Sequence, residues 1–109
     1  MRILLVRVEA DQHYLRAMHK VVRMEPLSLE YLGAAVQEHH DVKVFDMRVE
    51  GDWPQLQKTL ETWNPQIVGT GGDTCESRSC KKVLSAAKAH DRKILTIVGG
   101  IHATTMWED

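Results

Sequence analysis

Residues 2–8 read R-I-L-L-V-R-V, an apolar run in which only Arg2 and Arg7 are charged. Three further runs of this kind follow, at Val42–Phe45, Gln66–Thr70 and Ile94–Val98. Runs that are nearly continuous in Ile, Leu and Val are typical of parallel strands covered on both faces, because one-sided strands alternate between apolar and polar residues. The runs therefore predict four parallel strands, near residues 2–8, 42–46, 66–70 and 94–98.

Segments with helical spacing separate these runs and predict three helices, near residues 26–40, 53–63 and 76–90. Pro26 suits the first turn of the first helix, where a missing N–H costs nothing. Asp52 is a candidate N-cap for the second helix, and the Asn64-Pro65 pair ends it, since the residue before a proline is disfavoured in helical geometry. Strands that alternate with helices predict a doubly wound α/β fold, flavodoxin-like and three-layered, in one domain over residues 1–109.

Composition limits the classes of protein that this chain can be. It has 109 residues, of which 43% are hydrophobic and 27% charged, and 14 basic residues nearly balance 15 acidic ones. Nucleic-acid-binding proteins usually carry a basic excess, and a membrane span needs about 20 apolar residues, so we expect neither partner. The two cysteines, Cys75 and Cys80, follow no secretion signal, which predicts free thiols in the cytoplasm.

Two irregular features interrupt the repeating pattern. The connection over Glu9–Glu25 is much longer than the usual βα loop of about 2–6 residues, and loops of this length are usually functional. With four strands, the run at residues 94–98 lies at an edge and is apolar on both faces, and natural proteins normally cover such an edge. We therefore expect the sheet to be truncated before a fifth strand, with another domain, another chain or a second copy covering the fourth.

The ends of the third and fourth runs carry the candidate site. In open parallel sheets, ligands bind beyond the carboxyl ends of the strands, near the point where the strand order reverses. Paired glycines there let a bulky ligand approach the backbone, although glycines of ordinary turns would give the same pattern. The candidate binding residues are Thr70, Gly71, Gly72, Asp73 and Thr74 after the third strand, and Gly99, Gly100, Ile101 and His102 after the fourth.

Motifs for other ligands are missing from the sequence. There is no G-x-G-x-x-G dinucleotide fingerprint, no G-x-x-x-x-G-K-[ST] phosphate loop and no G-x-S-x-G nucleophile elbow. A small enzyme that uses Asp73, Cys75 or His102 ranks last, because no acid–base pair or oriented nucleophile can be named.

Four segments together resemble a known family. Residues 25–33 read E-P-L-S-L-E-Y-L-G, residues 42–46 read V-K-V-F-D, residues 65–69 read P-Q-I-V-G, and residues 98–104 read V-G-G-I-H-A-T. Their order and spacing resemble the amino-terminal cobalamin-binding domain of cobalamin-dependent radical SAM enzymes, and the resemblance covers almost the whole chain.

The resemblance implies a cofactor and a role for each turn. Cobalamin would lie on the strand ends with its nucleotide tail threaded into the sheet. Thr70, Gly71 and Gly72 would border the tail, and Gly99 and Gly100 would form its floor. A radical SAM barrel would be the partner domain, and the parent reaction would be methyl transfer or ring modification.

The chain departs from related patterns at two places. Corrinoid carriers of the methionine synthase type have D-x-H-x-x-G after the first strand, with the histidine on cobalt. Here Asp11 and His13 are present but Arg16 replaces the glycine, so His13 is either an axial cobalt ligand or an ordinary loop histidine. The C-x-x-x-C-x-x-C motif is missing, so an iron–sulfur cluster and S-adenosylmethionine would bind only in a parent protein. The alternative function is a cofactor-free docking or oligomerisation domain that acts through the open fourth strand.

Overall fold

Four strands and three helices alternate along residues 1–9, 27–72, 76–100 and 103–104, the part of the chain that the computed structural model describes. The strands are β1 (Arg2–Arg7), β2 (Asp41–Asp46), β3 (Ile67–Gly71) and β4 (Leu95–Gly99). The helices are α1 (Leu27–Val36), α2 (Trp53–Trp63) and α3 (Ser77–His90). None of the helices in these ranges is long and apolar enough to cross a membrane.

The strands form one parallel sheet in the order β2-β1-β3-β4. This order confirms the predicted doubly wound α/β fold and corresponds to the first four strands of the flavodoxin-like order. Arg7 pairs with both Asp46 and Gly71, and Gly71 pairs with Gly99. The last residues of all four strands therefore lie in one row, which we call the carboxyl edge.

The larger core lies between the sheet and helices α2 and α3. Leu4 and Val6 of β1 and Val68 of β3 are fully buried against it. Trp53 and Trp63 pack against the same core, as their positions in the predicted second helix suggested. The helical residues buried in this core are Leu56, Leu60, Cys80, Val83 and Ala87.

The opposite face of the sheet is only partly covered, by α1. Leu29 packs with Ile3 and Leu5 in a small second core, and α1 lies mainly over β1 and β2. Leu95 and Ile97 of β4 share this face and are 56% and 51% exposed. The prediction that the fourth strand is an apolar edge is therefore confirmed: β4 is the last strand of the sheet, and about half of each of these side chains is exposed in the described structure.

The helix boundaries follow local sequence signals with one difference. Helix α2 ends at Trp63, where the left-handed conformation of the C-cap residue Asn64 (φ 49°) and the following proline stop the helix as predicted. Helix α1 ends at Val36, four residues before the predicted end at residue 40. The residues after Val36 are polar and offer nothing to pack on the sheet, and tertiary packing of an apolar face is what sustains most helices.

Candidate functional site

The two glycine pairs lie side by side at the carboxyl edge. A Cβ built on Gly71 would lie 2.7 Å from the carbonyl oxygen of Gly99. A Cβ built on Gly100 would lie 2.9 Å from the backbone nitrogen of Gly72, and Gly100 also has a φ of +94° that side chains disfavour. The ends of β3 and β4 thus approach each other more closely than side chains would allow, so these glycines have a structural role.

Gly99 differs from Gly71 and Gly100, because among the described residues no heavy atom lies within 4 Å of the position that a Cβ on Gly99 would take. Ile97, two residues earlier on the same face, is half exposed. Within the described part of the chain, the carboxyl end of β4 therefore borders open space on the α1 side of the sheet. Close backbone packing therefore explains why glycine is needed at Gly71 and Gly100. It does not explain Gly99, which fits the other interpretation, that a ligand approaches the backbone there.

Thr70 lies inside the protein rather than at the rim. It is 4% exposed, and its hydroxyl donates a hydrogen bond of 2.8 Å to the carbonyl oxygen of Val6. Successive strand residues point to opposite faces, so Thr70 shares the α2–α3 face with Val68. This hydrogen bond links β3 to β1, a role of the Thr70 hydroxyl that the sequence alone did not indicate.

A partly buried ion pair links the end of β1 to the start of α3, beside the β1–β3 pair at which the strand order reverses. Both terminal nitrogens of Arg7 hydrogen-bond the carboxylate of Glu76, with Nη2 3.3 Å from Oε1. The Glu76 side chain is only 4% exposed and lies at the N-cap of α3, where the helix dipole favours a negative charge. The sequence carries no local signal for this pair, because its members are 69 residues apart.

A second ion pair lies at the end of β2. Asp46 accepts hydrogen bonds from Nε of Arg48 at 3.0 Å and from Nη2 at 2.9 Å. Burial alone would raise the pKa of Asp46. The hydrogen bonds and charge of Arg48 and the charge of Arg7 lower it by more than burial raises it, so the pKa lies below its ordinary value. The β1–β2 half of the carboxyl edge thus carries charged residues with ion-pair partners, Arg7 with Glu76 and Asp46 with Arg48. The β3–β4 half is formed by glycine backbone.

Several predicted site residues lie outside the described part of the chain. These residues are His13, Asp73, Thr74, Cys75, Ile101 and His102. Beyond them, residues 103–104 are helical, and the Thr104 amide donates to the Gly100 carbonyl at 3.1 Å. Across the described ranges, no three His, Cys, Asp or Glu side chains are grouped so as to hold a metal ion.

Comparison with known proteins identifies the class. The B12 binding domain family matches residues 17–109, and the chain therefore belongs to this family. The parallel α/β sheet, with its glycine-lined carboxyl edge, has the architecture expected of such a domain.

One curated relative extends this comparison. The chain is 32% identical over 80 residues to an uncharacterized methyltransferase of Pyrococcus horikoshii. The matched part is 72% of this chain but only 17% of the methyltransferase, so the chain spans about a sixth of that protein's length. No solved structure matches the chain significantly.

Proposed function

We propose that this chain binds cobalamin at the β3–β4 half of its carboxyl edge and acts as the cobalamin module of a larger radical SAM enzyme. The open space beside Gly99 carries this proposal, because it is where a Cβ would otherwise stand between a ligand and the backbone. Membership of the B12 binding domain family supports cobalamin as the ligand.

The surface that leads to Gly99 suits a flat, partly apolar ligand. Leu95, Ile97 and Gly99 alternate along the α1 side of β4, and the two side chains are half exposed. At about 3.3 Å per strand residue, this strip extends roughly 13 Å. A planar heterocyclic base, such as the one on the nucleotide tail of cobalamin, can lie along a strip of this length and bury it from water.

The chain's own residues would bind and orient the cofactor. Gly99 and Gly100 would form the floor, and Gly71 and Gly72 the adjoining wall, with Asp73, Thr74, Ile101 and His102 around the rim. The ion pairs of the β1–β2 half already satisfy their own charges, so we assign them no direct contact with the ring. When bound, cobalamin supplies a cobalt centre that accepts and donates a methyl group.

His13 is the candidate axial ligand to cobalt from this chain. A neutral imidazole is a competent metal ligand, and the carboxylate of Asp11 can orient it. Replacement of His13 by Ala would then change the visible spectrum of the cobalamin complex, whereas an unchanged spectrum would remove His13 from the site.

The parent reaction is proposed from the relative. The matched protein is named a methyltransferase, and this chain corresponds to a small part of it. An iron–sulfur cluster needs more thiolates than Cys75 and Cys80 supply, so the cluster and S-adenosylmethionine would bind in a separate barrel domain. Methyl transfer or ring modification in the cytoplasm is therefore the proposed context.

A direct binding experiment tests the proposal. Hydroxocobalamin is added to the purified chain, free cofactor is removed by gel filtration, and the visible spectrum of the protein peak is recorded. We expect a red protein peak for the wild type and for A35L, which adds bulk to an exposed position of α1, and a colourless one for G99L. A colourless wild-type peak, or equal colour in G99L, would contradict the proposal.

A docking or oligomerisation domain without a cofactor is the second candidate. The exposed apolar side chains of β4 favour it, since Leu95, Ile97 and Val98 project from both faces of an edge strand. A colourless chain that self-associates through β4 would support this function instead.

A further inference from the structure

The Arg7–Glu76 ion pair lies next to the glycine turns and has a geometry that an ordinary helix cap would not need. Glu76 occupies the N-cap position of α3, but its side chain makes no capping hydrogen bond. The carboxylate instead extends to the guanidinium of Arg7 at the end of β1. This links the start of α3 to a strand that is distant in sequence.

The carboxylate also contacts the turn after β3. A Cβ built on Gly72 would lie 2.7 Å from Oε2 of Glu76 and 3.0 Å from its Cβ, so the Glu76 side chain lies directly against Gly72. Gly72 in turn lies against Gly100, since a Cβ built on Gly100 would be 2.9 Å from both the backbone nitrogen and the carbonyl oxygen of Gly72. A continuous series of contacts therefore runs from Arg7 through Glu76 and Gly72 to Gly100.

We propose that Arg7 and Glu76 are positioning residues for the cofactor site. By fixing the Glu76 carboxylate, Arg7 holds Gly72 against Gly100 and so sets the position of the floor formed by Gly99 and Gly100. This role rests on the proposed binding of cobalamin beside Gly99. It requires no contact between either charged side chain and the cofactor.

The test compares E76Q and R7Q with the double variant R7Q/E76Q. The matched control is D46N, which weakens the Asp46–Arg48 ion pair at the end of the adjacent strand β2 and removes neither partner of the Arg7–Glu76 pair. For each variant, thermal unfolding is followed to choose a temperature at which it is fully folded, and the Kd for hydroxocobalamin is measured there. The backbone amide shifts of Gly72, Gly99 and Gly100 are recorded without cofactor by ¹H–¹⁵N NMR.

We expect E76Q and R7Q each to raise the Kd about tenfold, the size typical of losing a group that orients a cofactor ligand. The double variant should raise it by a similar factor rather than a hundredfold, because the two side chains act as one unit. The double variant also leaves no buried charge unpaired, so it remains informative if a single variant folds poorly. The amides of Gly72 and Gly100 should shift in E76Q and stay in place in D46N, whose Kd should equal that of the wild type.

The outcomes separate the two proposals. If the wild type binds cobalamin and the folded variants bind it equally well, the positioning role is wrong whatever the amide shifts show. The role is equally wrong if D46N and E76Q weaken binding to the same extent, since both would then act through general stability. A wild-type chain that binds no cobalamin overturns the proposed function, and the positioning role with it.

Discussion

Adding one methyl group at Gly71 or at Gly99 separates the structural glycine from the proposed ligand-binding one. In G71A, the new Cβ would lie 2.7 Å from the Gly99 oxygen and 3.0 Å from its carbonyl carbon. Backbone atoms cannot rotate away as a flexible side chain can, so β3 and β4 must separate. Overpacking of this kind typically costs about 1–3 kcal/mol of unfolding free energy.

The same substitution at Gly99 meets no atom of residues 1–9, 27–72, 76–100 or 103–104 within 4 Å of the new Cβ. The backbone of Gly99 is not in the left-handed region, so alanine fits the native conformation. The free energy of unfolding should change by less than about 0.5 kcal/mol, or rise slightly because alanine restricts the unfolded chain. Bound cobalamin, however, would meet the methyl group.

The expected loss of affinity follows from the same packing penalty. A cost of about 1–3 kcal/mol, now paid only in the complex, corresponds to a Kd raised roughly 5- to 150-fold. Urea denaturation followed by circular dichroism measures the stability, and titration followed by the visible spectrum of cobalamin measures the Kd. If G99A lowers stability as much as G71A, or binds cobalamin as tightly as the wild type, the assignment of Gly99 to the site is refuted.

Three further predictions concern other parts of the structure. Replacing Thr70 by Val should lower the unfolding free energy by about 1 kcal/mol, because the hydrogen bond to the Val6 carbonyl is lost; equal urea midpoints for the two proteins would contradict this. The pKa of Asp46 is lowered in the folded state, so its contribution to stability is fully present above the ordinary pKa of about 3.9 and is lost as the pH falls through the lower folded value. The difference in unfolding free energy between the wild type and D46N should therefore be constant above about pH 5 and shrink at lower pH. A difference that grows on acidification would show that the pKa of Asp46 is raised in the folded state, contrary to this prediction. If a second copy covers β4, I97K should lower the mass measured by light scattering without loss of thermal stability, since Ile97 is half exposed; an oligomer that survives I97K does not use this strand.

The order of the strands was predictable because the strand signals are strong. Continuous apolar runs such as residues 2–8 indicate parallel strands. Because each pair of successive strands is joined by one helix in a right-handed crossover, only a few orders of the strands in the sheet are possible. The end of α2 was predictable because Asn64 and the following proline act locally. The early end of α1 was predicted wrongly, although residues 37–40 are polar, because helical spacing alone does not show where packing on the sheet stops.

The candidate site was predictable only in part. Gly71 and Gly99 were expected at the same edge, and the register pairs them directly. Their different surroundings depend on atoms within 4 Å, which no spacing rule supplies. The inward position of Thr70 could have been found from its alternation with Val68, whereas the Arg7–Glu76 pair joins distant segments and leaves no local signal.

The carboxyl edge combines two kinds of surface in one row. At the ends of β1 and β2, Arg7 is paired with Glu76 of the α3 N-cap and Asp46 is paired with Arg48. At β3 and β4, the lack of side chains brings the strand ends together, and no described residue fills the space beside Gly99. A ligand with a large planar ring and an extended tail would be guided to the second surface by shape rather than by charge.

A crystal structure of the chain grown with hydroxocobalamin tests the central claim most directly. The account predicts one cobalamin per chain, with cofactor atoms within about 4 Å of the Gly99 backbone and of the Ile97 side chain. Cobalamin bound at a different surface, or a Gly99 opening filled by the protein's own side chains in that crystal, would contradict it.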